Sequence, residues 1–163
     1  MNQTRQNITG ILLAGGKSSR MGREKGDIIV GERKLYQYPL SVLESLCDEI
    51  LISSCKEMKI EEHYRQICDE TPNIGPIGGI YTCLKKSSND INIILSYDLP
   101  FVKEELFHLL LENVDAFEAI FPAKPDGRPE PLCAIYRREV VGVIEDQIEK
   151  NIFAVHKTFP LIR

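Results

Sequence analysis

A glycine pair followed by clustered basic side chains has the composition of a loop that binds anions. Gly15 and Gly16 allow the backbone to turn sharply and approach a ligand closely. Successive N–H groups in such a turn form an anion-binding concavity. Four cations stand within nine residues, against the single acid Glu24: Lys17, Arg20, Arg23 and Lys25. In a chain of net charge −4, this local excess predicts a polyanion site, with a triphosphate as the natural candidate. The alternative is an ordinary solvated surface loop.

Two well-known phosphate motifs do not account for this loop. The P-loop pattern G-x-x-x-x-G-K-[ST] finds its last three residues in Gly16-Lys17-Ser18, but its first glycine would be Ile11. The dinucleotide fingerprint G-x-G-x-x-G has no pair of glycines in the required register. The segment is therefore predicted to be a phosphate loop of another kind.

An acidic residue, Asp98, directly follows the clearest apolar strand of the sequence. Pro100 restricts Leu99 to extended geometry and helps to fix this loop. Mg²⁺ prefers one or two carboxylates together with phosphate oxygens, so Asp98 is a candidate magnesium ligand beside a bound triphosphate. The alternative is that Asp98 only caps a helix or begins a turn.

A second glycine-rich loop occupies residues 69–80. It begins at Asp69, contains Pro72 and Pro76, and its small residues leave room for a large planar group. Its glycines are Gly75, Gly78 and Gly79. The alternative is a connecting loop in which the glycines serve the turns alone.

Short apolar runs alternate with segments of helical periodicity. We predict strands at residues 8–13, 49–53, 65–68, 91–96, 119–122 and 132–136, and helices at residues 35–46, 77–84, 106–111 and 138–150. This alternation indicates parallel pairing with right-handed crossovers. Strands that are apolar throughout are typical of a sheet covered on both faces. The predicted fold class is α/β, with three αβα layers around a mostly parallel, Rossmann-like sheet. Ligands of such sheets bind beyond the carboxyl ends of the strands, where both loops and Asp98 fall.

Length and composition exclude several classes of protein. The 163 residues predict a single domain, 1–163. No apolar run is long enough to span a membrane, and the polar first ten residues do not resemble a secretory signal. The mild acidity argues against a nucleic-acid-coating protein.

The odd number of cysteines and the absence of a C-x-x-C pair favour unpaired thiols in a reducing cytoplasm over a disulfide framework or a zinc site. The five are Cys47, Cys55, Cys68, Cys83 and Cys133.

Together, these motifs resemble those of the molybdenum cofactor guanylyltransferase family. The similarity spans residues 8–137 and also includes Pro129-Glu130-Pro131-Leu132, which is similar to the family's substrate-side stretch. The ordered motifs are Leu13-Ala14-Gly15-Gly16, Arg20-Met21-Gly22 with Lys25, Gly75-Pro76-Ile77-Gly78-Gly79, and Asp98-Leu99-Pro100-Phe101.

The resemblance implies a fold of the nucleotide-diphospho-sugar transferase type and the transfer of GMP from GTP to molybdopterin-type molybdenum cofactor, with release of pyrophosphate. It implies Mg²⁺ as cofactor, with Asp98 as ligand, and Arg20, Lys25 and Asp98 as the catalytic residues. Ser53 stands where relatives often carry Asn. The implied nucleotide-binding set is Leu13, Ala14, Gly15, Gly16, Lys25, Ser53, Asp69, Gly75, Pro76, Gly78, Gly79 and Asp98. The resemblance also implies contact with other cofactor-biosynthesis proteins or molybdoenzymes, but no nucleic-acid or membrane partner.

The family usually continues with an Asn-x-Asn-Thr-Pro segment, which this sequence does not contain before Arg163. Three alternatives therefore stand beside guanylyl transfer. They are a related enzyme that uses CTP or another acceptor, a nucleotide-binding module without activity, and a P-loop GTPase.

Overall fold

The structure of the chain is a computed structural model. It describes residues 7–15, 28–55, 60, 63–158 and 160. The strands are β1 (Ile8–Leu13), β2 (Ile29–Val30), β3 (Arg33–Lys34), β4 (Glu49–Ser53), β5 (Arg65–Ile67), β6 (Ile91–Ser96), β7 (Ala119–Ile120) and β8 (Cys133–Arg137). The α-helices are α1 (Gln37–Leu46), α2 (Pro76–Lys86), α3 (Glu104–Leu111) and α4 (Val141–Glu149).

Within these residues, one six-stranded sheet has the order β5-β4-β1-β6-β8-β7. β5, β4, β1 and β6 run parallel, whereas β8 pairs antiparallel with β6 and β7 antiparallel with β8. Leu13 lies in register with Ser53 on one side and with Ser96 on the other. The ends of three parallel strands therefore meet at one edge of the sheet, as the predicted mostly parallel α/β fold requires.

Alternation along β1 divides the core into two layers. Leu12 packs with Leu40 and Leu43 of α1 and with Phe107 of α3 on one face of the sheet. On the other face, Ile11 and Leu13 pack with residues of α2 and α4, namely Ile77, Ile80, Leu84 and Ile144. Successive side chains of a strand point to opposite faces, so a strand buried on both sides is apolar throughout. The three-layer αβα prediction is confirmed.

Two local features differ from the sequence-based prediction. The β2–β3 hairpin was not predicted, because strands of two residues are too short to show periodicity. The predicted helix at 138–150 begins with the 3₁₀ turn Arg138–Val140 and becomes α-helical at Val141. In the described residues, no helix has both the length and the apolar character needed to cross a bilayer.

The prediction that the cysteines stay unpaired is wrong for two of them, because Cys55 and Cys68 form a disulfide. Cys55 lies just beyond the end of β4, and Cys68 directly follows β5. Parallel neighbours end at the same edge, so pairing of β4 with β5 brings together two residues that are 13 positions apart in sequence. Cys83 and Cys133 are buried, Cys47 is half-buried, and all three are unpaired as predicted.

Candidate active site

The backbone after β1 is fixed to both neighbouring strands. The N–H of Ala14 donates to the carbonyl of Ser53 across 3.0 Å, and the N–H of Tyr97 donates to the carbonyl of Leu13 across 3.1 Å. Gly15 follows the first of these bonds, and Asp98 follows the second. The start of the first glycine loop and the Asp98 loop are therefore held at the same edge of the sheet.

A polar pair, Ser53 and Asp69, lies at this edge beyond the ends of β4 and β5. The Ser53 hydroxyl, which is buried, donates to Oδ1 of Asp69 across 3.1 Å. Gly79 of α2 packs directly against both, because a Cβ added there would stand 2.4 Å from Ser53 Oγ and 3.4 Å from Asp69 Oδ1. A side chain at position 79 would thus displace the Ser53–Asp69 pair. The glycine permits α2 to lie this close to the ends of β4 and β5.

Two opposing effects act on the acidity of Asp69. Burial raises the pKa of the Asp69 carboxyl above its ordinary value, and the hydrogen bond from Ser53 lowers it, with burial the larger effect. Desolvation disfavours the charged form, whereas a hydrogen bond donated to the carboxylate favours it. Asp69 is consequently a half-buried acceptor whose pKa reflects both its burial and its serine partner.

The second glycine loop opens α2 at this same edge. Gly75 has a φ of +82°, a left-handed conformation that favours glycine, and Pro76 is the first residue of the helix. The N–H of Gly78 donates to the carbonyl of Gly75 across 3.2 Å. A helix N-terminus carries free N–H groups and partial positive charge, so it complements an anionic ligand at this edge.

Asp98 stands exposed at the end of β6. The Ser96 hydroxyl donates to its Oδ1 across 2.6 Å. Within the described residues, no cluster of three or more His, Cys, Asp or Glu side chains gathers as a metal site. A lone oriented carboxylate nevertheless fits Mg²⁺, which keeps several waters and takes phosphate oxygens in preference to an all-protein cage. Among the residues that the structure describes, Oδ2 of Asp98 accepts no serine hydroxyl.

The sequence itself matches a known family over most of its length. Residues 10–156 match the MobA-like NTP transferase domain. The chain belongs to this family.

Individual relatives agree with this assignment. A probable molybdenum cofactor guanylyltransferase of Flavobacterium johnsoniae is 32% identical over 147 residues, which cover 90% of this chain and 77% of that protein. A protein of the same description from Halalkalibacterium halodurans is 32% identical over 162 residues, covering 94% and 81%. The structure of molybdopterin-guanine dinucleotide biosynthesis protein A from Archaeoglobus fulgidus superposes with a TM-score of 0.78 at 23% identity, covering 95% of this chain and 80% of that chain. At that identity, the structural likeness establishes the fold.

The described part of this MobA-like transferase brings most of the predicted site residues to one edge. Leu13, Ala14 and Gly15 lie beside Ser53, and Asp98 is linked to them through Tyr97. Asp69, Gly75, Pro76, Gly78 and Gly79 complete the group. The remaining predicted residues, Gly16, Arg20 and Lys25, lie outside the described residues.

Sequence reasoning missed Ser96 as a partner of Asp98. The signal was available, since a hydroxyl residue two positions before a carboxylate at a strand end can form a local hydrogen bond. Sequence reasoning also missed the disulfide beside Asp69. The two cysteines are brought together by the pairing of β4 with β5, and the spacing of cysteines along the sequence does not reveal such pairing.

Proposed function

We propose that this MobA-like transferase transfers GMP from GTP to the terminal phosphate of molybdopterin-type molybdenum cofactor and releases pyrophosphate. One observation carries the proposal: Gly15, the Ser53–Asp69 pair and Asp98 lie together at the carboxyl edge of the parallel strands. Relatives named for molybdenum cofactor guanylyl transfer match across this entire region.

The reaction is an in-line displacement at the α-phosphorus of GTP. An oxygen of the acceptor's phosphate forms a bond to this phosphorus, the bond from it to the bridging oxygen of the β-phosphate breaks, and the electron pair leaves with pyrophosphate. Both reactants are anions, so part of the barrier is their mutual repulsion. Positioning and charge neutralisation supply most of the catalysis in such transfers.

The residues divide into a nucleoside side and a phosphate side. Asp69, oriented by Ser53, accepts hydrogen bonds from donors of the nucleoside. The backbone at Gly15 and the N-terminus of α2 form the phosphate side, and Gly79 allows α2 to pack directly against the Ser53–Asp69 pair of the nucleoside side. Arg20 and Lys25, which the family resemblance implies, stabilise the leaving pyrophosphate.

Asp98 is the residue that would hold a divalent cation, which we propose to be Mg²⁺. When bound, the cation neutralises the charge that develops on the phosphate oxygens. Ser96 orients Asp98 by donating to Oδ1, which would leave Oδ2 to hold the cation. Neither residue transfers a proton in this scheme.

We further propose a cytoplasmic location for the enzyme, with GTP and molybdopterin cofactor as its substrates. Contact with other cofactor-biosynthesis proteins or with molybdoenzymes stays a prediction of the resemblance. Co-purification of the tagged chain with such proteins would test it.

The test of the proposed function compares GTP with CTP. With Mg²⁺ and molybdopterin cofactor present, pyrophosphate release should require both GTP and the acceptor. Preference for CTP would assign a cytidylyltransferase instead. Release of free phosphate would point to a GTPase, and GTP binding without any release would indicate a binding module.

A further inference from the structure

We propose that Cys55 and Cys68 form a thiol–disulfide exchange site that controls the order of the Asp69 segment and, through it, the affinity for nucleotide. The second half of this proposal depends on the proposed function, because it assigns Asp69 to the nucleoside.

The disulfide lies between the end of a strand pair and a residue of the candidate site. Beyond the β4–β5 register, the N–H of Ser54 donates to the carbonyl of Ile67 across 2.9 Å. The disulfide follows directly, and the N–H of Asp69 then donates to Sγ of Cys55 across 3.2 Å. Cys68 precedes Asp69 without an intervening residue. The covalent bond therefore ties the backbone of Asp69 to the strand that carries Ser53.

The two paired cysteines differ from the other three in their exposure to solvent. Cys55 and Cys68 are both exposed to solvent, and exposed disulfides are the ones that exchange readily and serve regulation. Burial raises the pKa of the Cys47 and Cys83 thiols to about 12 and that of Cys133 to about 11. Because the thiolate is the reacting species, these three thiols do not compete at neutral pH.

The exchange is a balanced two-electron reaction with a thiol or a dithiol as co-reactant. A thiolate attacks one sulfur of the Cys55–Cys68 bond and displaces the other as a thiolate, which gives a mixed disulfide. A second thiolate attacks the external sulfur, so that the protein gains two thiols and the co-reactant becomes a disulfide. Oxidised glutathione drives the same steps in reverse.

Reduction removes the covalent tie but leaves the hydrogen bonds around Asp69. The segment after β5 then samples more conformations, and nucleotide binding must order it again, at a cost in affinity. We expect the Kd for GTP to rise about three- to tenfold on reduction. Turnover at saturating GTP changes little, because β6, which leads to Asp98, lies beyond β4 and β1 in the sheet.

The first test counts thiols without reference to nucleotide. After treatment with oxidised glutathione, alkylation in denaturant followed by mass measurement should label Cys47, Cys83 and Cys133 alone. After dithiothreitol, it should label all five cysteines. Hydrogen exchange of the peptide covering residues 65–75 should then be several-fold faster in the reduced protein. Labelling of all five under both conditions, or unchanged exchange in this peptide, would overturn the proposal.

The second test measures GTP binding by calorimetry in both redox states. The double variant Cys55→Ser/Cys68→Ser should bind GTP like the reduced protein and should not respond to oxidant. The matched control Cys47→Ala should keep the full response. Equal affinity in the two states would overturn the link to nucleotide. No GTP binding in either state, with the thiol count and exchange as expected, would instead contradict the proposed function.

Discussion

The hydroxyl of Ser53, the last residue of β4, and the carboxylate of Asp69, two residues beyond β5, form a 3.1 Å hydrogen bond that Gly79 shields from the α2 side. Since burial and this hydrogen bond act in opposite directions on the pKa of Asp69, the serine determines how far the carboxyl titrates above its ordinary range.

Replacing Ser53 with alanine should raise the pKa of Asp69 further, because the bond that favours the charged form is lost. If ionised Asp69 holds the nucleoside, the acid limb of kcat/KM for GTP should shift to higher pH in Ser53→Ala than in the wild type. A pH profile recorded at saturating Mg²⁺ measures this shift. An acid limb that stays in place, or moves to lower pH, would contradict the assigned role of Asp69.

The raised pKa of Asp69 also affects stability in a defined direction. The folded protein binds this proton more tightly than the unfolded chain, so the contribution of Asp69 to the free energy of unfolding decreases as pH rises from the ordinary Asp range through the raised pKa. Because Ser53→Ala raises the pKa of Asp69 further, the pH range over which this contribution decreases should extend to higher pH. Urea denaturation at several pH values would detect the change, and the same pH dependence in both proteins would count against it.

Asp98→Asn should leave the fold intact and lower Mg²⁺-dependent turnover by about 100-fold or more, equivalent to about 3 kcal/mol of transition-state stabilisation. The exposed position of Asp98 at the sheet edge predicts an unchanged melting temperature. Asp146→Asn, on the exposed surface of α4, is the matched control and should retain activity. Full turnover in Asp98→Asn would remove this residue from the metal site.

Ser96→Ala should weaken the apparent affinity for Mg²⁺ about tenfold, because the carboxylate loses the donor that orients it. Turnover at saturating Mg²⁺ should be largely restored, and Ser96→Thr should behave like the wild type. Calorimetric titration of Mg²⁺ into the GTP-bound protein provides a readout independent of turnover. A loss of turnover that no Mg²⁺ concentration relieves would point to a different role for Ser96.

Gly79→Ala should impair nucleotide binding at least tenfold, because its Cβ would stand 2.4 Å from Ser53 Oγ. Overpacking of this kind costs about 1–3 kcal/mol, only partly offset by the better helix propensity of alanine. For Gly142→Ala on α4, no other described part of the chain beyond its own helix lies within 4 Å of the added Cβ, and the variant should be neutral or slightly stabilising. Calorimetry and thermal melts of both variants test the prediction. Similar behaviour of the two would contradict the close approach at Gly79.

The fold was largely predictable because three of its parallel strands, β1, β4 and β6, are mostly apolar. The bounds of β1, β4 and β6 agree with the predicted ranges, and α2 extends the predicted 77–84 by one residue before it and two after it. The rule that ligands bind beyond strand ends also indicated the edge at which the structure brings most of the predicted site residues together. The antiparallel pairing of β8 was beyond reach, because the pattern of a short buried strand does not encode its direction.

The partners within the site were less accessible to sequence reasoning. Asp69 and Asp98 could be selected from their positions after strands, but the serine that bonds to each depends on side-chain orientation. The pairing of Cys55 with Cys68 depends on the register between β4 and β5. This register is hard to predict from the sequence, because β5 (Arg65–Ile67) has only three residues.

The central claim is guanylyl transfer from GTP to the molybdopterin cofactor. It is tested most directly by following the α- and the γ-phosphorus of GTP separately. The chain is incubated with Mg²⁺, molybdopterin cofactor and GTP labelled at either the α- or the γ-phosphorus. We predict that the α-label enters a product heavier than the acceptor by one guanylyl group, while the γ-label leaves as pyrophosphate. An unchanged acceptor, with the γ-label released as free phosphate or not released at all, would contradict guanylyl transfer at this site.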